Sequence, residues 1–455
     1  MNRIAKRATV VLLPVLILVA GMIFFLWEYH NNGQDWVMFS GSPHVYKGNK
    51  PAQGILTDRD GTPLLDLSSG SYASETQTRE VLVHWTGDRE GNVLVPFLRE
   101  YALEMSGYDR VNGVYNYGNA PGVLRLTLDA ELQRATMEAM GDYKGTVAVY
   151  NYLTGELLCA VTTPNFDPVN LPDIAGDTTG AYTGAYMNRF TQSTYIPGSI
   201  FKIVTMGAAL ESVAGVQEMR FTCEGKYMLG RGDVTCEHAH GRQNLKEIFS
   251  NSCNCAFAQL VELVGREKLK RCVEQFGVTD SVSFDGITTV RGNFDISDAS
   301  AEQVAWSGIG QHKDQINPCA YLTFLGAIAR DGMGLSPHVV AEITVGEETT
   351  YLAEPAERER IMSSATAQLL QSFMRNNVVE KYGVERFPEL TVCAKTGTAQ
   401  VGGGRKSNAM LAGFVLDENC PLAFIAAIED GGYGSQVCIP IVSKVLSAYL
   451  NLQSQ

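Results

Sequence analysis

The 20 residues from Ala8 to Trp27 carry no charge, and this run limits what the chain can become. As a helix rising about 1.5 Å per residue it spans a hydrocarbon core of about 30 Å. Pro14 inside it is tolerable in a membrane helix, where neighbouring groups satisfy the freed backbone. Arg3, Lys6 and Arg7 precede the run, and Glu28 and Asp35 follow it. A basic flank marks the inner side, which places the N-terminus inside and the rest of the chain outside. The alternative is a cleaved signal peptide, whose apolar region would be shorter and end in a small-x-small site. Leu26-Trp27-Glu28 makes a poor cleavage site. The expectation is a cytoplasmic tail over 1–7 and an uncleaved transmembrane anchor over 8–27.

The rest is long enough for a large core. The chain has 455 residues, 45% hydrophobic and 19% charged, so length allows more than one domain. A net charge of −13 and the lack of a long Lys/Arg run exclude a general nucleic-acid binder. Residues 28–122 are rich in Gly, Asn, Tyr and polar turns, and GILTDRDGTPLL within them reads as two short strands around an Asp-Gly turn. This predicts a small strand-rich pedestal. From residue 123 to 455 the pattern changes. Asp129 caps a helix over ELQRATMEAM. Val147–Tyr150 and Leu157–Thr162 flank a Leu153-Thr154-Gly155 turn, as a hairpin does. Helices are expected over Ser199–Leu210, Asn244–Gly265 and Cys319–Arg330, then strands at Leu390–Ala394, Ala412–Leu416 and Leu422–Ile428, and a last helix from Ile439 to Leu450. Strands at both ends with helices between predict one α+β domain, with an antiparallel sheet assembled from distant segments.

Ten cysteines are unusual for an exported chain. Cys223 and Cys236 lie in a polar, Gly-rich stretch and close a short loop, which makes them the best disulfide candidates; such a bond contributes about 3 kcal/mol in the chain-entropy model. His238 and His240 cluster with them, and zinc uses these ligand types, but the spacing matches no common finger. The expectation is therefore no metal and no organic cofactor. Cys159 and Cys393 sit in apolar runs, as buried free thiols do.

Three short motifs carry chemistry. In Tyr195-Ile196-Pro197-Gly198-Ser199-Ile200-Phe201-Lys202, a Pro-Gly turn presents Ser199 at the start of a helix that is apolar almost all round and must be buried. Lys202 lies three residues on, on the same face. A serine hydroxyl needs a base, and a desolvated lysine has the lowered pKa that lets it act as one. Backbone N–H groups at the helix start can face an oxyanion. In Ser252-Cys253-Asn254 a hydroxyl can relay a proton and an amide can hold a peptide. In Lys395-Thr396-Gly397-Thr398, strand alternation puts Lys395 and Gly397 on one face; the glycine lets another backbone approach, and an extended peptide could pair along the strand. Lys395, Thr396 and Thr398 would offer charge and hydroxyls to a carboxylate. Each motif alone also reads blandly, as a cap, a loop or a surface turn.

Together and in this order, Ser-x-x-Lys, Ser-x-Asn and Lys-Thr-Gly form the signature of penicillin-binding proteins and their β-lactamase relatives. The chain resembles class B penicillin-binding proteins, the monofunctional transpeptidases of peptidoglycan synthesis. PGSIFKIVT, SNSCNCAFAQL and AKTGTAQ look like the three family blocks, and LTLDAELQRA, TGELLCAVTTPNFDP, NRFTQSTYIPGS and SGIGQHKDQINP like blocks outside the site. GILTDRDGTPLL is similar to the pedestal entry. The resemblance implies a penicillin-binding, serine β-lactamase-like transpeptidase fold in the bacterial cytoplasmic membrane, with its catalytic domain on the outer face. It implies that a D-Ala-D-Ala stem peptide acylates Ser199 and that β-lactams trap the same residue. Lys202 would take the serine proton, and Ser252 with Lys395 would pass it to the leaving D-Ala. Asn254 would hold the acyl side chain, Thr396 and Thr398 the terminal carboxylate, and the amides of Ser199 and Thr398 the oxyanion. A membrane glycosyltransferase of the shape-elongation-division type would be the partner, since no glycan-polymerising domain fits in 28–122.

Gln53 stands where the family usually has Arg, Met410-Leu411 where it often has an aromatic pair, and Gly402-Gly403-Gly404 reads as a flexible stretch. These departures bear on pedestal and acceptor contacts rather than on acylation. Two other readings remain at this point: a β-lactamase or D,D-carboxypeptidase, which would need an activated water, and a catalytically silent scaffold, which should have lost a motif residue.

Overall fold

The computed structural model describes residues 2–37, 42, 45–47, 50–106 and 121–454. The first helix, Asn2–Val37, is longer than the apolar run that predicts it. Its segment Lys6–Gly33 has a mean hydropathy of 2.9, none of its most apolar stretch is buried against the rest of the protein, and it is long and apolar enough to cross a membrane.

The centre of the molecule is a five-stranded antiparallel sheet in the order Val392–Ala399, Asn408–Val415, Leu422–Ile428, Gly145–Asn151, Leu157–Thr163. It joins the two distant strand-rich segments, as the sequence predicts. Every residue of Asn408–Val415 and Leu422–Ile428 is buried, which requires cover on both faces. Helices Ala130–Met140 and Gly434–Gln453 pack on each other and on this sheet. Helix Pro318–Ala329 also packs on it and touches Ser364–Asn377. Helix starts follow their caps: Asp129 accepts from the Leu132 N–H at 2.9 Å, and Asn317 from Cys319 at 3.0 Å.

A second sheet of six strands crosses the expected boundary at 122/123. Its order is Glu348–Leu352, Val340–Val345, Gly122–Leu126, Ile55–Thr57, Pro63–Asp66, Ser71–Tyr72. The Asp-Gly hairpin forms as expected, but its first strand pairs in parallel with Gly122–Leu126, which in turn pairs with Val340–Val345. Two or three short strands cannot bury a face alone, so the pedestal sheet is completed from the C-terminal side of the chain. Gln53 precedes this hairpin, and Gly402–Gly404 turn between two strands of the central sheet.

The helix expected over Asn244–Gly265 is two helices, Leu245–Ser250 and Asn254–Val264. Ser252 lies between them in the left-handed region with φ 50°. For a residue with a Cβ this costs about 1–3 kcal/mol and persists where the surroundings over-determine it.

Arg79 ties helix Thr76–Thr86 to the loop after Leu157–Thr163. It donates to both oxygens of Asp167, at 2.8 and 2.7 Å, and to the carbonyls of Ala73 and Ser74. Both side chains are buried, and the guanidinium holds the Asp167 carboxyl well below the usual range. Replacing Arg79 by Met should leave a buried unpaired carboxylate and destabilise the fold by about 3–5 kcal/mol. Urea denaturation of the two proteins measures this; an unchanged midpoint would mean the pair does not join these segments.

Candidate active site

The helix that carries Lys202 begins with a tighter turn, Gly198–Phe201, and continues as Lys202–Ser212. Ile203, Val204, Met206, Ala208 and Ala209 are fully buried, so the lysine at its start is drawn into the core with them. Lys202 is 0% exposed. Its Nζ donates to the Ser252 carbonyl at 2.6 Å, to Asn254 Oδ1 at 2.6 Å and to Ser252 Oγ at 3.1 Å. Those three acceptors match the three hydrogens of an ammonium. The Phe257 ring centroid, 5.4 Å away, adds a favourable face for the charge. The break at Ser252 explains itself here: only a turn lets the carbonyl and hydroxyl of one residue and the amide of Asn254 face the same ammonium.

Lys395 approaches Ser252 from the central sheet. Its Nζ is 3.0 Å from Ser252 Oγ and 3.0 Å from the Thr396 carbonyl, and it too is buried. Burial brings the Lys202 pKa down to about 8, against some opposition from nearby cysteines. Burial, and then the charge of Lys202, holds Lys395 well below the ordinary lysine range. Two ammoniums around one hydroxyl would repel each other, so the pair favours one charge. With Lys395 neutral, its lone pair can accept the Ser252 O–H while Lys202 donates to the same oxygen.

Ser199 is half-buried at the head of the turn. Among the described residues, Lys202 bonds to Ser252 and Asn254 rather than to the Ser199 hydroxyl. What fixes Ser199 is backbone contact. Gly198 has φ 54°, and a Cβ there would lie 2.7 Å from the Thr398 carbonyl. A Cβ on Gly397 would lie 2.9 Å from the Pro197 carbonyl. These two glycines let the turn that carries Ser199 lie directly against the strand Val392–Ala399. The Gly198 N–H also donates to Gly310 at 2.8 Å.

That strand is at the sheet's edge. Its outward backbone groups are partly occupied: Asn377 donates to the Ala394 carbonyl at 3.0 Å, and the Thr396 N–H donates to Tyr382 Oη at 3.0 Å. Ladder alternation aims the backbone of Thr398 the same way, beside Ser199. Thr396 Oγ1 is also 3.1 Å from Tyr382 Oη. The structure thus brings Ser199, Lys202, Ser252, Asn254, Lys395, Thr396, Gly397 and Thr398 into one place. Sequence reading missed Tyr382, which lies in KYGVER with no local signal, and Tyr321, which donates to the Ile200 carbonyl at 2.8 Å.

The expected Cys223–Cys236 disulfide is absent; both are free thiols. Cys236 Sγ faces Cys253 Sγ at 3.8 Å, and Cys223 Sγ faces His240 Nδ1 at 3.5 Å. Cys159 and Cys393 are buried free thiols, as expected.

Residues 145–447 match the penicillin binding protein transpeptidase domain. The chain is similar to a peptidoglycan D,D-transpeptidase, PbpA, of Mycolicibacterium smegmatis, 27% identical over 366 residues and covering 72% of each chain. It is 26% identical over 351 residues to stage V sporulation protein D of Bacillus subtilis, covering 71% of this chain and 52% of that protein. Penicillin-binding protein A from M. tuberculosis, solved as a penicillin G acyl-enzyme complex, shares the fold with a TM-score of 0.74 at 22% identity, over 88% of this chain and 99% of that one.

Gly198→Ala should force a side chain into a left-handed position and against the Thr398 carbonyl, destabilising the protein by about 1–3 kcal/mol. Denaturant titration tests this; wild-type stability would mean the turn and strand are not held in this contact.

Proposed function

The chain belongs to the penicillin-binding protein transpeptidase family, and from that membership we propose that it is a peptidoglycan D,D-transpeptidase working through an acyl-enzyme on Ser199. The observation that carries the reading is the Ser252 hydroxyl held between two buried lysines, 3.1 Å from Lys202 and 3.0 Å from Lys395. The names of its relatives support the same activity, and β-lactams, as mimics of D-Ala-D-Ala, would trap the same serine.

In this reading neutral Lys202 takes the Ser199 proton as Oγ attacks the penultimate D-Ala carbonyl. The N–H groups of Ser199 and Thr398, from two backbones in contact, stabilise the oxyanion. The peptide C–N bond breaks, and the leaving D-Ala amine gains its proton through Ser252 and Lys395. An amine from a second stem peptide then attacks the ester and frees Ser199. The stem peptide pairs along the open edge near Thr398, whose hydroxyl binds the terminal carboxylate. Thr396 contributes alongside, oriented by Tyr382. Asn254 is bound through Oδ1 to Lys202 and through Nδ2 to the Thr235 carbonyl at 3.0 Å, which leaves one amide hydrogen for the acyl side chain.

The helix Asn2–Val37 would anchor the protein, with residues 1–7 inside and the pedestal and catalytic domain on the outer face. A membrane glycosyltransferase of the shape-elongation-division type would supply the glycan strands.

Incubation with penicillin, followed by intact mass, should give one lasting adduct, absent from Ser199→Ala. Rapid loss of the adduct with drug turnover would make the protein a β-lactamase, and no adduct would remove the acylation chemistry. The pH dependence has a definite sign. The base must be neutral, and the neutral fraction of Lys202 rises with pH through about 8. The acylation rate should therefore climb between pH 6 and 8 and level off above. A rate independent of pH over that range would rule out Lys202 as the base.

A further inference from the structure

Four metal-ligating side chains meet beside the second motif. Cys223 ends the strand Phe221–Cys223, Cys236 follows the strand Gly232–Thr235, His240 precedes the strand Gly241–Gln243, and Cys253 is the cap of helix Asn254–Val264. Each offers one ligand atom, and these atoms all lie within 4.8 Å of one another. Tetrahedral zinc, with Zn–S of about 2.3 Å and Zn–N of about 2.0 Å, requires S···S edges of about 3.8 Å and S···N edges of about 3.5 Å. Cys236 Sγ to Cys253 Sγ is 3.8 Å, and Cys223 Sγ to His240 Nδ1 is 3.5 Å. A disulfide needs about 2.05 Å.

Two backbone groups point to thiolate ligands as well. The Cys255 N–H donates to Cys236 Sγ at 3.3 Å, and the Ala256 N–H donates to Cys253 Sγ at 3.4 Å. Such bonds orient and stabilise metal-bound sulfur. Three thiolates and one imidazole in a closed tetrahedron form a structural zinc set, with no open position for a substrate.

We propose that Cys223, Cys236, His240 and Cys253 bind one structural zinc ion that fixes the turn carrying Ser252 and Asn254. Binding forms three Zn–S bonds and one Zn–N bond and releases three thiol protons to solvent. Spacing could not announce the site, because its ligands lie on three strand ends and a helix cap joined only by the fold. Cys253 is flanked in the chain by Ser252 and Asn254, the two residues that hold Lys202, so a metal bound to Cys253 fixes the left-handed turn at Ser252. The binding claim stands by itself; the link to acylation rests on the reading of the site above.

The test uses the full chain, purified in detergent without chelators. Elemental analysis should find about one zinc per chain, reduced to background in Cys236→Ser and in His240→Ala. Should those variants fail to fold, cobalt(II) exchanged into the wild-type protein gives an independent readout: tetrahedral d–d bands with thiolate-to-cobalt charge transfer. Removing the metal should slow acylation by a fluorescent penicillin about 10-fold, with recovery on adding zinc sulfate. Wild-type protein that takes up neither zinc nor cobalt overturns the proposal, whether its thiols are then free or paired as a Cys236–Cys253 disulfide. Zinc bound with no effect of its removal on acylation would overturn the link to the turn. Zinc bound to a protein that never acylates would instead count against the transpeptidase reading and leave the metal site standing.

Discussion

The ammonium of Lys202 is buried in the apolar core, and much of the local structure follows from what that demands. A charge out of water must have partners. The nearest oxygens come from a residue that no regular helix could present, so the segment after Ser250 breaks, turns left-handed at Ser252 and restarts at Asn254. The cost of that turn is offset by three hydrogen bonds to one cation. Lys395 then meets the same hydroxyl from the sheet; burial lowers the proton affinity of both lysines, and the charge of Lys202 lowers that of Lys395 further.

The second constraint is steric. In the proposed mechanism a nucleophile on one element and the donors for its oxyanion on another must come closer than side chains permit. Gly198 and Gly397 remove the Cβ atoms that would stand between them. The central sheet gathers strands from residues 145–163 and 392–428, and the edge strand that faces Ser199 is held in it through Asn408–Val415. The six-stranded sheet behaves alike, since its pedestal strands are completed by Val340–Leu352. Neither sheet forms from a continuous stretch of chain.

The sequence made visible those features that depend on local chemistry. The hairpin over Gly145–Thr163, the Asp129 cap and the apolar strand Leu422–Ile428 follow from alternation and capping. Ser199, Lys202, Ser252, Asn254 and Lys395 were recognisable from residue type and order, and the fold brings them together. What stayed hidden needed three dimensions. Helical periodicity runs straight through Ser252, because nothing local reports the cation that breaks it. Tyr382 carries no motif and reaches Thr396 only through the packing of its segment. Cys223 and Cys236 read as a loop-closing pair from their short separation in a polar, Gly-rich stretch, whereas the fold turns Cys223 toward His240 and Cys236 toward Cys253. The pedestal boundary at 122 was drawn through a strand that belongs to both halves.

The proposed acylation turns on the protonation of Lys202, and that can be observed directly. Side-chain nitrogen NMR of protein labelled with 15N-lysine, followed from pH 6 to 11, should reveal a lysine titrating near 8 whose resonance is missing from Lys202→Met. If every lysine titrates in the ordinary range above about 10, the buried pair is not as described, and Lys202 cannot be the base.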